Sequence, residues 1–257
     1  MTKESFLPQI PQMDGMYIVF STATRCPYVV CNPETYDDET YVCLTDEVAE
    51  KKVGELRGNT IPVDFFKIKK EGMLNYFNEL YGFGVNAVRF FTGDDEICLQ
   101  LTEFVNKGDI SKLPEERRPL ENPSLILSML YFCQEVRYKG RDLKKVAELE
   151  EEMVANISRS QFLVPVREIS NKEDGKKDVK FMVVKSSNGE PVVPVFTDTV
   201  TLKHFLGKQV CHVIKMTIEQ IGNLQIPGIE KGFLINPNGV GLLLNKEQIN
   251  HIKETFK

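Results

Sequence analysis

The 257-residue chain contains no tryptophan and only three histidines, His204, His212 and His251. None of them sits in an HExxH run, and the adjacent Cys211 and His212 stand without further close Cys or His ligands, so the short histidine signatures of zinc and thiol chemistry are missing. No serine occupies a GxSxG turn, and neither a Walker loop nor GxGxxG occurs, which removes the compact motifs of acyl transfer and nucleotide binding. No segment approaches the roughly 20 apolar residues that a membrane helix needs. The opening MTKESFLPQIPQMDG lacks the basic start and apolar stretch of a signal peptide, and a cytoplasmic protein without membrane association is expected. Basic charge is scarce as well: 32 Lys and Arg stand against 37 Asp and Glu, a net charge of -5, and nucleic acid is not expected as a partner. These absences leave no catalytic constellation to name and give no ground for expecting a cofactor or a bound metal.

Six cysteines without regular spacing suit reduced thiols better than a disulfide framework. The closest pair lies in TRCPYVVCNPET (24–35). A tetrahedral site needs four ligands, and an odd spacing on a strand sends Cys26 and Cys31 to opposite faces. The stretch therefore reads as a core strand. The acidic run ETYDDE (34–39) lacks the DxDxDG spacing of a calcium loop and reads as a solvated connection.

What the chain does contain is a faint internal repeat. YIVFS (17–21) resembles FLVPV (162–166), YVVC (28–31) resembles FMVV (181–184), and VCLTDEV (42–48) resembles PVFTDTV (194–200). VDFFKI (63–68) and LTEFV (101–105) match CHVIKM (211–216) and NKEQI (245–249), in the same order and at offsets of about 150. Cys26, Cys31, Cys43 and Cys211 each fall opposite a valine, as expected of small buried hydrophobes.

Each copy reads as an α+β unit, in the order β-β-β-α-β-α-β-β-α, with a mixed sheet covered by helices. Helices open at Thr45-Asp46 and Thr197-Asp198, where hydroxyl and carboxylate cap free N–H groups. Strands are expected over 63–69 and 210–217, and amphipathic helices over 71–82 and 218–226. Asn238-Gly239, between apolar runs, signals a hairpin turn. The expected organisation is a divergent first repeat over 1–107, a loop and helical connector over 108–159, and a second repeat over 160–257. In the connector, Leu143, Val146, Ala147, Glu150, Val154 and Ile157 form one helical stripe. Charge is divided unevenly, with 10 basic against 17 acidic residues over 1–107 and 13 against 10 over 160–257.

FLVPV, PVVPVFTD and GFLINPNGVGLLLNKEQI together resemble the SseB-type N-terminal domain, with 16–107 as a divergent copy in which VNAVRFFTG replaces GFLINPNG. The resemblance implies that domain and a bacterial cytoplasmic setting, and carries no known catalytic activity with it. The expected function is non-enzymatic binding of a protein partner or a small regulatory ligand between the repeats. Arg25, Asp46, Asn86, His212 and Asn236 are the candidate groove residues, and Thr197, Asp198 and Gly239 are structural members of the family-like motifs. The alternative is a hydrolase or transferase whose site those five polar residues assemble. The oligomeric state is left open.

Overall fold

A computed structural model describes residues 2–93, 95–171, 177–229 and 232–256. The chain divides into two units, Met1–Leu113 with Ile126–Leu149, and Pro114–Leu125 with Glu150–Lys257. The segment 108–159 is thus shared out between the units.

The first unit opens with α1 (Lys3–Phe6) and continues through β1 (Gly15–Ser21), β2 (Cys26–Pro27), β3 (Val29–Cys31) and β4 (Asp38–Cys43). Then come α2 (Asp46–Gly58), β5 (Val63–Lys69), α3 (Lys70–Gly82), β6 (Ala87–Phe91), β7 (Glu96–Gln100) and the single turn α4 (Leu101–Phe104). The sheet runs β2-β1-β4-β6-β7, with β3 added to β4 and β5 to β1. Its one parallel pair is β4 with β6; the other pairings are antiparallel.

Both faces of this sheet are covered, which is why β6 reads as the apolar run AVRFF, interrupted by one arginine. On one face, Ala49 and Val53 of α2 pack with Val19, Cys43, Val63 and Phe91. On the other, Phe90 meets Phe6 of α1 and Phe77 of α3, with ring centroids 5.1 and 6.2 Å apart. Thr45 caps α2 by accepting from the Val48 N–H. Gly84, at a φ of 79°, ends α3 in the left-handed conformation, which lets Val85 N–H reach the Leu80 carbonyl.

Two helices follow, α5 (Pro123–Arg137) and α6 (Leu143–Arg159). From α5, Gln134 brackets Val29, donating to its carbonyl at 2.8 Å and accepting its N–H at 3.2 Å. Along α6 the buried residues are Met153 and Ile157, with Val146 and Leu149 half-buried, while Leu143 is 72% exposed. The stripe expected from the sequence is therefore rotated. Spacings of three and four residues join Val146, Leu149, Met153 and Ile157 on one face, and Leu143 and Glu150 fall outside it.

The second unit contains β8 (Gln161–Asn171), β9 (Lys177–Phe181), β10 (Val184–Lys185), β11 (Pro191–Val195), α7 (Thr199–Leu206) and β12 (His212–Thr217). It ends with α8 (Ile218–Gly222), β13 (Phe233–Ile235), β14 (Leu242–Leu244) and α9 (Lys246–Thr255). One sheet has the order β12-β8-β9 and the other β10-β11-β13-β14, joined by an antiparallel bridge between Leu163 and Phe196. Among the described residues a single pair, β11 with β13, is again parallel. Leu163, Phe196 and Leu202 of α7 form a core with Leu120, which comes from the segment before α5.

Some elements differ from expectation. The helix from 218 stops at Gly222 instead of 226, since Gly222 and Asn223 end it and Pro227 follows. Gly222 also lies against Ile249 of α9, where a Cβ would come within 2.7 Å of the isoleucine methyl. The stretch 24–35 is not one core strand: two short strands flank Tyr28, and while Cys26 is buried, Cys31 is exposed at the end of β3 opposite Asp38. Nor is ETYDDE wholly solvated, because Glu39 enters β4 and is 1% exposed.

Candidate functional site

In the second unit, polar side chains gather where the parallel strands β11 and β13 end. Asn236 follows β13 directly, is 3% exposed and has a φ of 48°. Its N–H donates to the Val195 carbonyl at 2.9 Å, bracing the two strand ends. Its side chain meets Thr197 twice: Nδ2 donates to Oγ1 at 2.7 Å, and Oδ1 accepts the Thr197 N–H at 3.1 Å. The Thr197 hydroxyl in turn donates a hydrogen bond to Asp198 Oδ2 at 2.9 Å. Asp198 caps α7 through the Thr201 N–H, 2.7 Å from Oδ1, and also accepts from the Thr201 hydroxyl. The structure thus brings Asn236, Thr197 and Asp198 together as one buried network.

The hairpin signal at Asn238-Gly239 is corrected in detail. β13 and β14 do form a hairpin, but its connection spans 236–241 and its left-handed residues are Asn236 and Gly241. Gly239 contributes an N–H, donated together with that of Gly241 to the Asn236 carbonyl.

In the first unit the polar centre runs from Glu39, near the start of β4, to Arg89 in the middle of β6. Arg89 grips Glu39, donating from Nε at 2.7 Å and from NH2 at 2.8 Å, and reaches Glu96 from NH1 at 2.6 Å. Asn32 and the Cys98 thiol also donate to Glu39, at 2.8 and 3.3 Å. Burial opposes the Glu39 charge, but these donors outweigh it and hold the carboxyl below its ordinary range. Burial and the neighbouring Glu39 push the Cys98 thiol up to about 12. Asp38, beside them, is raised by burial despite accepting from the Tyr131 hydroxyl at 2.6 Å.

Sequence reasoning passed over this centre, although an arginine inside AVRFF was its visible signal. Asn86 belongs next to it: its amide accepts the Asp38 N–H at 2.8 Å and donates to Asp37 at 2.9 Å. Asp46 opens α2 past the far end of β4, so a six-residue strand, roughly 20 Å, separates it from Asn86. Arg25 lies in the β1–β2 turn at a φ of 57°, its N–H bonded to the Ser21 carbonyl. In the second unit His212 begins β12 with its side chain exposed.

At the finishing ends of β4 and β6, a concavity of about 140 Å³ lies between α2 and the β6–β7 turn, lined by Lys51, Lys52, Glu55, Phe91 and Glu96. Lys52 stands over Phe91, 4.4 Å from the ring centroid. That volume falls below the roughly 300 Å³ at which small-molecule pockets begin. Among the described residues, no three or more His, Cys, Asp or Glu side chains are placed to hold a metal, and no helix is long and apolar enough to cross a membrane.

These features define an α+β protein with two mixed-sheet units, each with a hydrogen-bonded polar cluster beside the parallel strand pair found among its described residues. Residues 141–251 match the SseB protein N-terminal domain. No curated protein sequence matches the chain. Two solved structures align along most of its length. One is Tic22 from Plasmodium falciparum, at 10% identity over 96% of this chain and 95% of that one, with a TM-score of 0.23. The other is Anabaena Tic22 (protein transport), at 13% identity over 85% and 84%, with a TM-score of 0.23.

Proposed function

We propose that this is a non-enzymatic protein that binds a protein partner through a tandem of SseB-like units. The observation carrying this reading is that the polar groups of each cluster are engaged within their own cluster. Asn236, Thr197 and Asp198 exchange hydrogen bonds among themselves, and Glu39 is held by Arg89, Asn32 and Cys98. A nucleophile or general base needs a side chain aimed at substrate, and the thiols of Cys43, Cys98 and Cys133 are driven by burial to about 12, 12 and 11.

The pairing order supports reading the first unit as a divergent copy of the second. β5–β1 corresponds to β12–β8, β3–β4 to β10–β11, the parallel β4–β6 to β11–β13, and β6–β7 to β13–β14. Six free cysteines fit a reducing, cytoplasmic setting.

Thermal denaturation against amino acids, nucleotides, sugar phosphates and divalent metal salts tests the reading. A true ligand at 100 times its Kd adds about 2.7 kcal/mol. The proposal expects a flat panel and a copurifying protein of fixed stoichiometry; a selective shift accompanied by turnover of that compound overturns it.

A further inference from the structure

β5 is an edge strand that pairs along its whole length with β1, from Gly15 opposite Lys69 to Ser21 opposite Val63. The flanking bonds from Thr22 N–H to the Pro62 carbonyl and from Lys70 N–H to the Asp14 carbonyl fix the phase of the ladder. Asp64, Phe66 and Ile68 therefore turn their backbone groups toward β1, and Val63, Phe65, Lys67 and Lys69 turn theirs outward. The first of these outward groups are satisfied within the chain. Val63 N–H bonds to the Ile61 carbonyl, the Val63 carbonyl accepts from Arg57 Nε at 2.9 Å, and Phe65 N–H bonds to Asp64 Oδ1 at 2.9 Å. Beyond that clamp, the Phe65 carbonyl, both Lys67 groups and the Lys69 N–H have no hydrogen-bond partner among the described residues.

Side chains alternate along this open stretch. Lys67 and Lys69 are exposed on the face that α2 covers elsewhere, with Lys67 Nζ 5.4 Å from the Tyr17 ring. On the opposite face Phe66 is 46% exposed and meets Phe20 in a tilted ring contact, with centroids 5.6 Å apart. A strand laid beside β5 would put every second side chain against Phe66 and Ile68 and the others against the lysines. A second copy of the same strand would bring further lysines to a face that already carries them, which charge disfavours.

We propose that β5 captures an extended segment of a partner protein in which apolar and acidic residues alternate, added to the sheet as a new edge strand. This rests on the partner-binding reading above and names its site. The backbone of Phe65, Lys67 and Lys69 supplies the hydrogen bonds, Lys67 and Lys69 meet the carboxylates, and Phe66 with Phe20 packs the apolar side chains.

The test uses the full chain and a fluorescent synthetic peptide of alternating valine and glutamate, with a valine–lysine peptide as control. Saturable anisotropy with the acidic peptide, together with slowed amide exchange over 63–69, is expected. Lys67→Pro removes one outward N–H without touching the β1 ladder and should weaken binding about fivefold, the worth of one hydrogen bond of about 1 kcal/mol. Lys67→Glu should lose the acidic peptide and gain the basic one, an exchange that a structural lysine would not produce. Absence of saturable binding, or binding with exchange protection elsewhere and none at 63–69, overturns the β5 proposal. The broader reading stands or falls separately on the melting panel and the copurifying protein.

Discussion

Arg89 meets both carboxylate oxygens of Glu39, from Nε at 2.7 Å and from NH2 at 2.8 Å, inside a strand pair where the Glu39 side chain is 2% exposed. Removing the arginine leaves a buried carboxylate with weaker donors. Arg89→Ala is expected to lower stability by about 3 kcal/mol in urea denaturation at neutral pH.

The same pair sets a pH dependence. Because the folded carboxyl of Glu39 lies below its ordinary value of 4.5, its contribution is complete above that value and is lost as pH falls through the folded pKa. Glu39→Gln should be less stable than wild type at pH 7, and the gap should close in acid. Parallel denaturation curves at both pH values check this.

At the other cluster, Asn236 combines a left-handed backbone with two bonds to Thr197. Asn236→Gly keeps the backbone and loses the bonds, whereas Asn236→Ala loses both. The alanine variant should melt lower, by about 1 kcal/mol more. Asp198→Ala should cost about 1 to 2 kcal/mol through the lost cap of α7, read as a lower melting temperature.

Thiol reactivity separates the cysteines. Cys31 is exposed, yet burial, Asp38 and Asp37 raise its pKa, so at pH 7 it should react with iodoacetamide first but more slowly than a free thiol. Cys26, Cys43 and Cys133 are buried and should react only on unfolding, as peptide mapping of the alkylated protein would report.

Strand and helix alternation was legible because local signals agreed with the fold: Thr45 and Asp198 cap where a hydroxyl and a carboxylate precede helical runs, and β5 spans the residues its pattern indicates. Glu39 escaped because its partner, Arg89, lies 50 residues away, and an acidic run looks solvated until a cation is placed against it. Asn236 is a candidate groove residue in the sequence, and its bonds to Thr197, 39 residues earlier, depend on two strand ends becoming neighbours. The candidate residues Asp46 and Asn86 looked equivalent on paper, and only the parallel pairing of β4 with β6 assigns them to opposite ends.

Helices α5 and α6 each begin in one unit and end in the other. For a chain emerging from a ribosome, this interleaving means that the first unit still waits for Gln134 to close on Val29 after the earliest residues of the second have been made. A stop placed at 107 therefore yields an unfinished first half, and one at 149 includes all the segments that half contains. A split of the gene at 149, where the last segment of the first half ends, would have to divide α6.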